Sequence, residues 1–152
     1  MLQVKQVRKD NSIYIGRVVL NQPDGTNQLS TTDALLGTIM PSQFSYGTVH
    51  PKSVVQNGSF TYYFDVYSGK VIRDAYNGPV VISDYGMATY FKEISERILA
   101  NFDRSEVLGG FDGKNDSYIL TFRINGTDET VIFNEKNNVW SHYADFTPVG
   151  YA

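Results

Sequence analysis

Between Ser53 and Ser83 the chain repeats one device: a short apolar run followed by a dipeptide that reverses it. The runs 54–55, 60–66, 71–72 and 80–82 are separated by Asn57-Gly58, Ser68-Gly69 and Asn77-Gly78. Such dipeptides supply the positive φ that two-residue hairpins need. Runs this short between turns this tight leave no room for a helix, so the stretch predicts a sheet of four antiparallel strands. Alternation along 60–66 places Tyr62, Phe64 and Val66 on one face and Tyr63, Asp65 and Tyr67 on the other. The first face is expected to be buried and the second to be offered to a neighbour.

The pattern then changes period. Over 85–102, Met87, Phe91, Ile94, Ile98 and Phe102 recur at helical spacing, which predicts an amphipathic helix entered through Ser83 and Asp84 as caps. Its wet face carries Glu93 and Arg97 one turn apart, in the order that favours a pair. Beyond Asp103 strands resume at 107–111, 118–124, 130–134 and 139–146, divided by Asp112-Gly113, Asn125-Gly126 and Asn137-Asn138. This is a second unit of the same kind. Its strand Ser117-Tyr118-Ile119-Leu120-Thr121-Phe122 matches Ser59-Phe60-Thr61-Tyr62-Tyr63-Phe64, and Ser12-Ile13-Tyr14 is a weaker third copy. Allowing for the helix, the interval falls in the range of about 40–50 residues of propeller blades. Before Ser53 the signals are a strand over 12–20 with a bulge at Gly16, a turn at 21–27, a returning strand, and a loop over 30–50 holding one helical turn at 31–36. The fold class is therefore mainly β: antiparallel four-stranded blade-like sheets, as in a propeller-like repeat fragment, with one amphipathic helix. A single β-rich unit spans 1–152, divided into a weak repeat 1–46, a repeat 47–84, the helix 85–102 and a repeat 103–152.

Composition narrows the partners. The 152 residues are 41% hydrophobic, with 11 Tyr and 9 Phe, enough for one real core rich in rings that suit a pleated surface. A net charge of −3, with Lys5, Arg8 and Lys9 as the densest basic group, argues against a nucleic-acid partner. The chain has no Cys, which removes disulfides and thiolate chemistry and fits a reducing compartment. No apolar run approaches the roughly 20 residues of a membrane helix, and no apolar signal core opens the sequence, so a soluble protein without a membrane partner is expected. The sequons at Asn57, Asn115 and Asn125 read as turn residues.

Nothing in the sequence assembles a reactive centre. His50 and His142 have no second ligand at metal spacing. Asp112-Gly113-Lys114-Asn115-Asp116 resembles a calcium loop, but Lys114 stands where an oxygen is needed and no bidentate Glu follows, so a tight turn is the reading. The carboxylate pairs Asp65 with Asp74 and Glu129 with Glu135 could flank a glycosidic bond only if folding brought them within about 5–9 Å. Gly109-Gly110 lacks the Lys and helix of a phosphate loop. Trp140, Tyr143 and Phe146 could stack on a sugar, but an alternating aromatic stripe reads first as core. No catalytic, cofactor-binding or metal residue is assigned, and no cofactor is expected.

Two blocks carry a family resemblance. The first runs from Gly47 to Asp84 through His50-Pro51-Lys52-Ser53-Val54-Val55, Tyr63-Phe64-Asp65, Gly69-Lys70-Val71-Ile72-Arg73 and Asn77-Gly78. The second holds Gly109-Gly110-Phe111-Asp112, Tyr118-Ile119-Leu120-Thr121-Phe122, Val131-Ile132-Phe133-Asn134-Glu135-Lys136, Val139-Trp140-Ser141 and Phe146-Thr147-Pro148. From Tyr46 onward the chain resembles large structural tail proteins of tailed bacteriophages, of the tail-stabilisation or muzzle-like type of crAss-like phages. The resemblance implies a non-enzymatic part of a virion, assembled in the bacterial host cytoplasm and working through contacts with other virion proteins or copies of itself. It carries over no catalytic residue. Family chains are far longer, so the sequence reads as a segment whose edges need cover, with a homo-oligomer or a longer chain as the expected state. A carbohydrate- or receptor-binding β module is the alternative.

Overall fold

The computed structural model describes the backbone of Leu2–Lys5 (β1), Asp10–Ile13 (β2), Val18–Asn21 (β3), Asn27–Ser30 (β4) and Ile39–Pro41 (β5), and residues 43–141 and 148–151 with their side chains. Strands β1, β2 and β5 form a three-stranded antiparallel sheet, and β3 pairs with β4 in a hairpin around the expected turn, Asn21 facing Asn27. Two expectations change here. The single strand over 12–20 is two strands in different sheets, and the loop over 30–50 contains β5, an edge strand whose last residue is Pro41, a position to which Pro in sheets is confined. The helical turn at 31–36 and the bulge at Gly16 lie outside the described residues.

The stretch that organised the sequence is a four-stranded antiparallel meander, β6 (Val55–Asn57), β7 (Phe60–Asp65), β8 (Lys70–Ala75) and β9 (Gly78–Val81). The second unit repeats it as β10 (Ser105–Asp112), β11 (Ser117–Ile124), β12 (Thr127–Asn134) and β13 (Val139–Ser141). Asn125-Gly126 forms the expected two-residue turn, with φ of 50° and 85°, as a type I′ hairpin requires. Three other turns are longer, and one of them replaces the two-residue hairpin expected at Ser68-Gly69. Pairing of Asp65 with Lys70, Asp112 with Ser117 and Asn134 with Val139 leaves four-residue loops. Each is opened by a side chain accepting backbone N–H groups: Asp65 from Tyr67 and Ser68 (3.0 and 3.3 Å), Asp112 from Lys114 and Asn115 (2.9 and 3.3 Å), Asn134 from Asn137 (3.0 Å). Each is closed by a left-handed residue, Gly69, Asp116 or Asn138. The turn chemistry is an Asx side chain followed four residues later by a residue that tolerates positive φ.

The two meanders share one core. Tyr62 stacks on Tyr118 at 4.9 Å and Phe64 meets Phe122 edge-on at 5.1 Å, so β7 and β11 run in the same direction. Strand β10 lies beside β6 at one side, while at the other the indole of Trp140 on β13 donates 2.8 Å to the carbonyl of Ile82, just past β9. Equal direction and equal lateral order mean that the sheets are stacked in series, the front of the first against the back of the second. This corrects the internal match. Aligning Ser59–Phe64 with Ser117–Phe122 equates Tyr62 with Leu120 and Phe64 with Phe122, yet all four lie in the shared core. Units in series point equivalent residues the same way, so the structural correspondence is shifted by one residue and the sequence match records shared burial.

Helix α1 (Ala88–Ala100) fills the wedge between the sheets. Phe91, Ile94 and Ile98 are buried and Met87 packs against the core, as the stripe predicts, but Phe102 stands outside the helix in a 3-10 turn and is 43% exposed. Ser83 and Asp84 do not cap it. They sit in a separate 3-10 turn, and the cap position is Met87, without a side-chain hydrogen bond. Arg97 reaches across to Glu129 on β12 at 2.5 Å, a tertiary pair in place of the expected contact with Glu93. The second face of β7 is also closed: Tyr63, Ile72 and Asp65 are buried, Gly47 donates to Asp65, and the Lys70 ammonium lies over the Tyr46 ring. That face was expected to be offered to a neighbour; the chain segment leading to His50 covers it instead.

Candidate functional site

The most developed surface feature is the seam where β6 and β10 meet. Pro51 starts a 3-10 turn whose last residue, Ser53, is buried, its hydroxyl donating 2.7 Å to the carbonyl of His50. The Ser53 carbonyl accepts the Tyr118 hydroxyl at 2.9 Å and lies so close to Gly109 that any side chain there would collide with it. Gly110, pointing to the other face of β10, is covered in the same intimate way by the Tyr151 ring. Two clefts flank Tyr151. One of about 460 Å³ runs past Gln56, Asn57, Gly110 and Phe111, and one of about 350 Å³ past Lys52, Leu108 and Gly150.

Polar contacts fix the segment 148–151 on this surface. The Tyr151 hydroxyl shares a 2.8 Å hydrogen bond with Thr121, which is itself 2.8 Å from Thr130, and Arg123 donates 3.0 Å to the carbonyl of Pro148. Burial pushes the Tyr151 phenol up, partly offset by Thr121. Arg123 belongs to a row Lys52, Glu106, Arg123, Asp128, with contacts of 2.5, 3.1 and 3.1 Å. The hydrogen bond from Lys52 holds the Glu106 carboxyl below its usual range. The row runs from an exposed Lys52 to a mostly covered Asp128, so its solvent-facing end aligns the surface more than it stabilises it.

A second polar contact crosses between the sheets. Arg73 pairs with Glu135 at 2.5 Å where both are mostly covered, and the guanidinium also lies over Phe60 at 5.3 Å. The Tyr62 hydroxyl and Glu135 Oε1 are buried nearby, each without a hydrogen bond of normal geometry. Burial, and after it the Glu135 carboxylate, pushes the Tyr62 phenol far up, so it is a neutral hydroxyl at any ordinary pH.

The residues singled out in the sequence do not converge. His50 is buried against Phe102 (5.7 Å), and burial lowers its pKa while Glu106 partly opposes that. His142, Tyr143 and Phe146 lie outside the described residues. Asp65 and Asp74 occupy opposite ends of the β7–β8 hairpin, and Asp65 is spent on backbone N–H groups. Glu129, near the start of β12, and Glu135, in the loop after its last residue, stand toward opposite ends of that strand and bind Arg97 and Arg73 respectively. Asp112 holds its own loop, with the Asn115 amide as the main cause of its lowered pKa. Trp140 is core. Among the described residues no three His, Asp or Glu side chains could together hold a metal, and no helix is long and apolar enough to cross a membrane.

No protein-family model matches the chain, and no curated protein matches it. The seam residues were legible only in part. A Gly pair inside a strand signals close backbone approach, a meaning that Gly109-Gly110 carries here and that comparison with a phosphate loop misses. Tyr151 had no local signal at all, since its role comes from meeting Gly110 and Thr121 in space.

Proposed function

We propose that this chain is a non-enzymatic assembly module, a structural component of a bacteriophage tail that acts through contacts with other virion proteins or with copies of itself. The observation that carries the reading is the stacking of two four-stranded meanders in series about one aromatic core. Such an array presents a different face at each end, the arrangement from which propellers and other repeat assemblies are extended. The titratable side chains support the same conclusion by their engagements: Asp65, Asp112, Glu129 and Glu135 each hold a loop or a neighbouring element. Light scattering on the isolated chain at micromolar concentration tests it. An oligomer burying more than about 1,000 Å² is expected; a monomer throughout the concentration range overturns the reading.

A carbohydrate- or receptor-binding module is the second reading, favoured by the cleft in which Gln56 and Asn57 stand beside Tyr151. Saturable binding on a glycan array, lost in Tyr151→Ala, would establish it in place of the first.

A further inference from the structure

The seam between β6 and β10 combines three properties rarely found together on a closed surface. Among the described residues, β6 pairs only with β7 and β10 only with β11, so both strands turn a free edge toward it. Edges of this kind present unpaired N–H and C=O groups in the spacing of an extended chain. Gly109 and Gly110 both line the larger cleft but face opposite sides of β10, where the Ser53 carbonyl and the Tyr151 ring approach too closely for any side chain. And a segment of the chain already lies beside the seam, against the Gly110 face of the second sheet. Residues 148–151 are held by the Pro148 carbonyl and the Tyr151 side chain, while Val149 between them is 96% exposed and the clefts on either side stay unfilled.

We infer that this seam is a peptide-binding groove, and that its partner is the segment 148–151 of a second copy of the chain. The inference rests on the assembly reading and names a contact for it. The seat is defined by a few groups at fixed positions: Gly110 for a ring, Thr121 for its hydroxyl, Arg123 for a carbonyl. None of them requires that the ring and carbonyl come from the same molecule. Exchange of an element between identical protomers keeps its contacts, which is why it is a low-cost route to assembly. A bound segment longer than the resident one would extend along β10 toward Gly113 through the larger cleft.

The test uses the full chain carrying Tyr151→Ala, labelled with nitrogen-15, so that its own ring no longer fills the seat. The probe is a synthetic peptide of residues 147–152. Saturable shifts of the Gly109, Gly110 and Gln56 amides are expected, weakened about tenfold or more when the peptide carries Ala in place of Tyr. Unlabelled intact chain added at the same concentration should move the same amides. If Tyr151→Ala does not fold, labelled wild-type chain with the peptide in large excess gives the same readout. No saturable shift overturns the groove; shifts with the peptide and none with the intact chain overturn the second copy as its partner; shifts produced only by an oligosaccharide assign it to a glycan. Light scattering separates this result from the wider one, since an oligomer that persists in Tyr151→Ala refutes the exchange and leaves the assembly reading standing.

Discussion

Phe91 and Phe102 occupy the same stripe in the sequence and opposite situations in the structure, so substituting each with Ala separates periodicity from packing. Phe91 is fully buried, with ring centroids 4.7 Å from Trp140, 6.2 Å from Phe122 and 6.3 Å from Phe64. It touches both sheets at the point where the helix wedges between them. Removing a buried Phe costs about 3–5 kcal/mol, from lost transfer free energy and an incompletely collapsed cavity. At about 2–4 °C per kcal/mol for a chain of this size, the melting temperature should fall by about 6–20 °C. Phe102 is 43% exposed and gives up little burial, so Phe102→Ala should cost about 1 kcal/mol or less. Urea unfolding followed by circular dichroism measures both, with equal slopes showing that the denatured states are comparable. A Phe91→Ala midpoint equal to that of the parent, or two variants of equal cost, would refute the wedge argument.

Gly109→Ala should destabilise by about 1–3 kcal/mol, because the added methyl group meets the Ser53 carbonyl and the Val55 side chain; Gly113→Ala, in open space, is the control, and equal melting temperatures for the two would contradict the close approach. For His50, burial lowers the folded-state pKa, so below about pH 6.5 the unfolded chain binds the extra proton, and stability falls as pH is lowered through that window toward the folded value, by at most about 1.4 kcal/mol per pH unit. Chemical denaturation between pH 7 and 5 should show that slope in the parent and lose His50's share of it in His50→Gln; an unchanged slope would deny His50 the role. Arg73→Met should cost about 2 kcal/mol by stranding Glu135 between the sheets, and adding Glu135→Gln should recover part of it; strict additivity in this double-mutant cycle would show that the pair is not coupled.

What could be read from the sequence follows from which interactions are local. The meanders were legible because Asn57-Gly58, Asn77-Gly78 and Asn125-Gly126 mark strand reversals with short-range chemistry. At Ser68-Gly69 the chain makes a four-residue loop and not a two-residue one because the side chain that opens it, Asp65, sits at the end of the preceding strand. The helix core at Phe91, Ile94 and Ile98 obeyed its period, whereas Phe102 fell out of it where the chain turns toward β10. The order in which the sheets stack was not legible: a single-residue shift exchanges the two faces, and Tyr62, Tyr63, Leu120 and Thr121 are all buried, so burial does not report the face. The seam joins Ser53, Gly109 and Tyr151, and no pattern within one segment anticipates such a meeting.

The chain's single tryptophan gives the junction an optical readout. Trp140 is 4% exposed, its ring lies between Phe91 and Phe133, and its indole N–H is committed to Ile82. One chromophore therefore touches the helix, the second sheet and the end of the first. Its emission should be blue-shifted in the folded chain, and any opening between the sheets should move it to the red before the meanders themselves melt. With no second indole to average over, fluorescence and far-ultraviolet dichroism recorded on one sample would tell separation of the two sheets from unfolding of either.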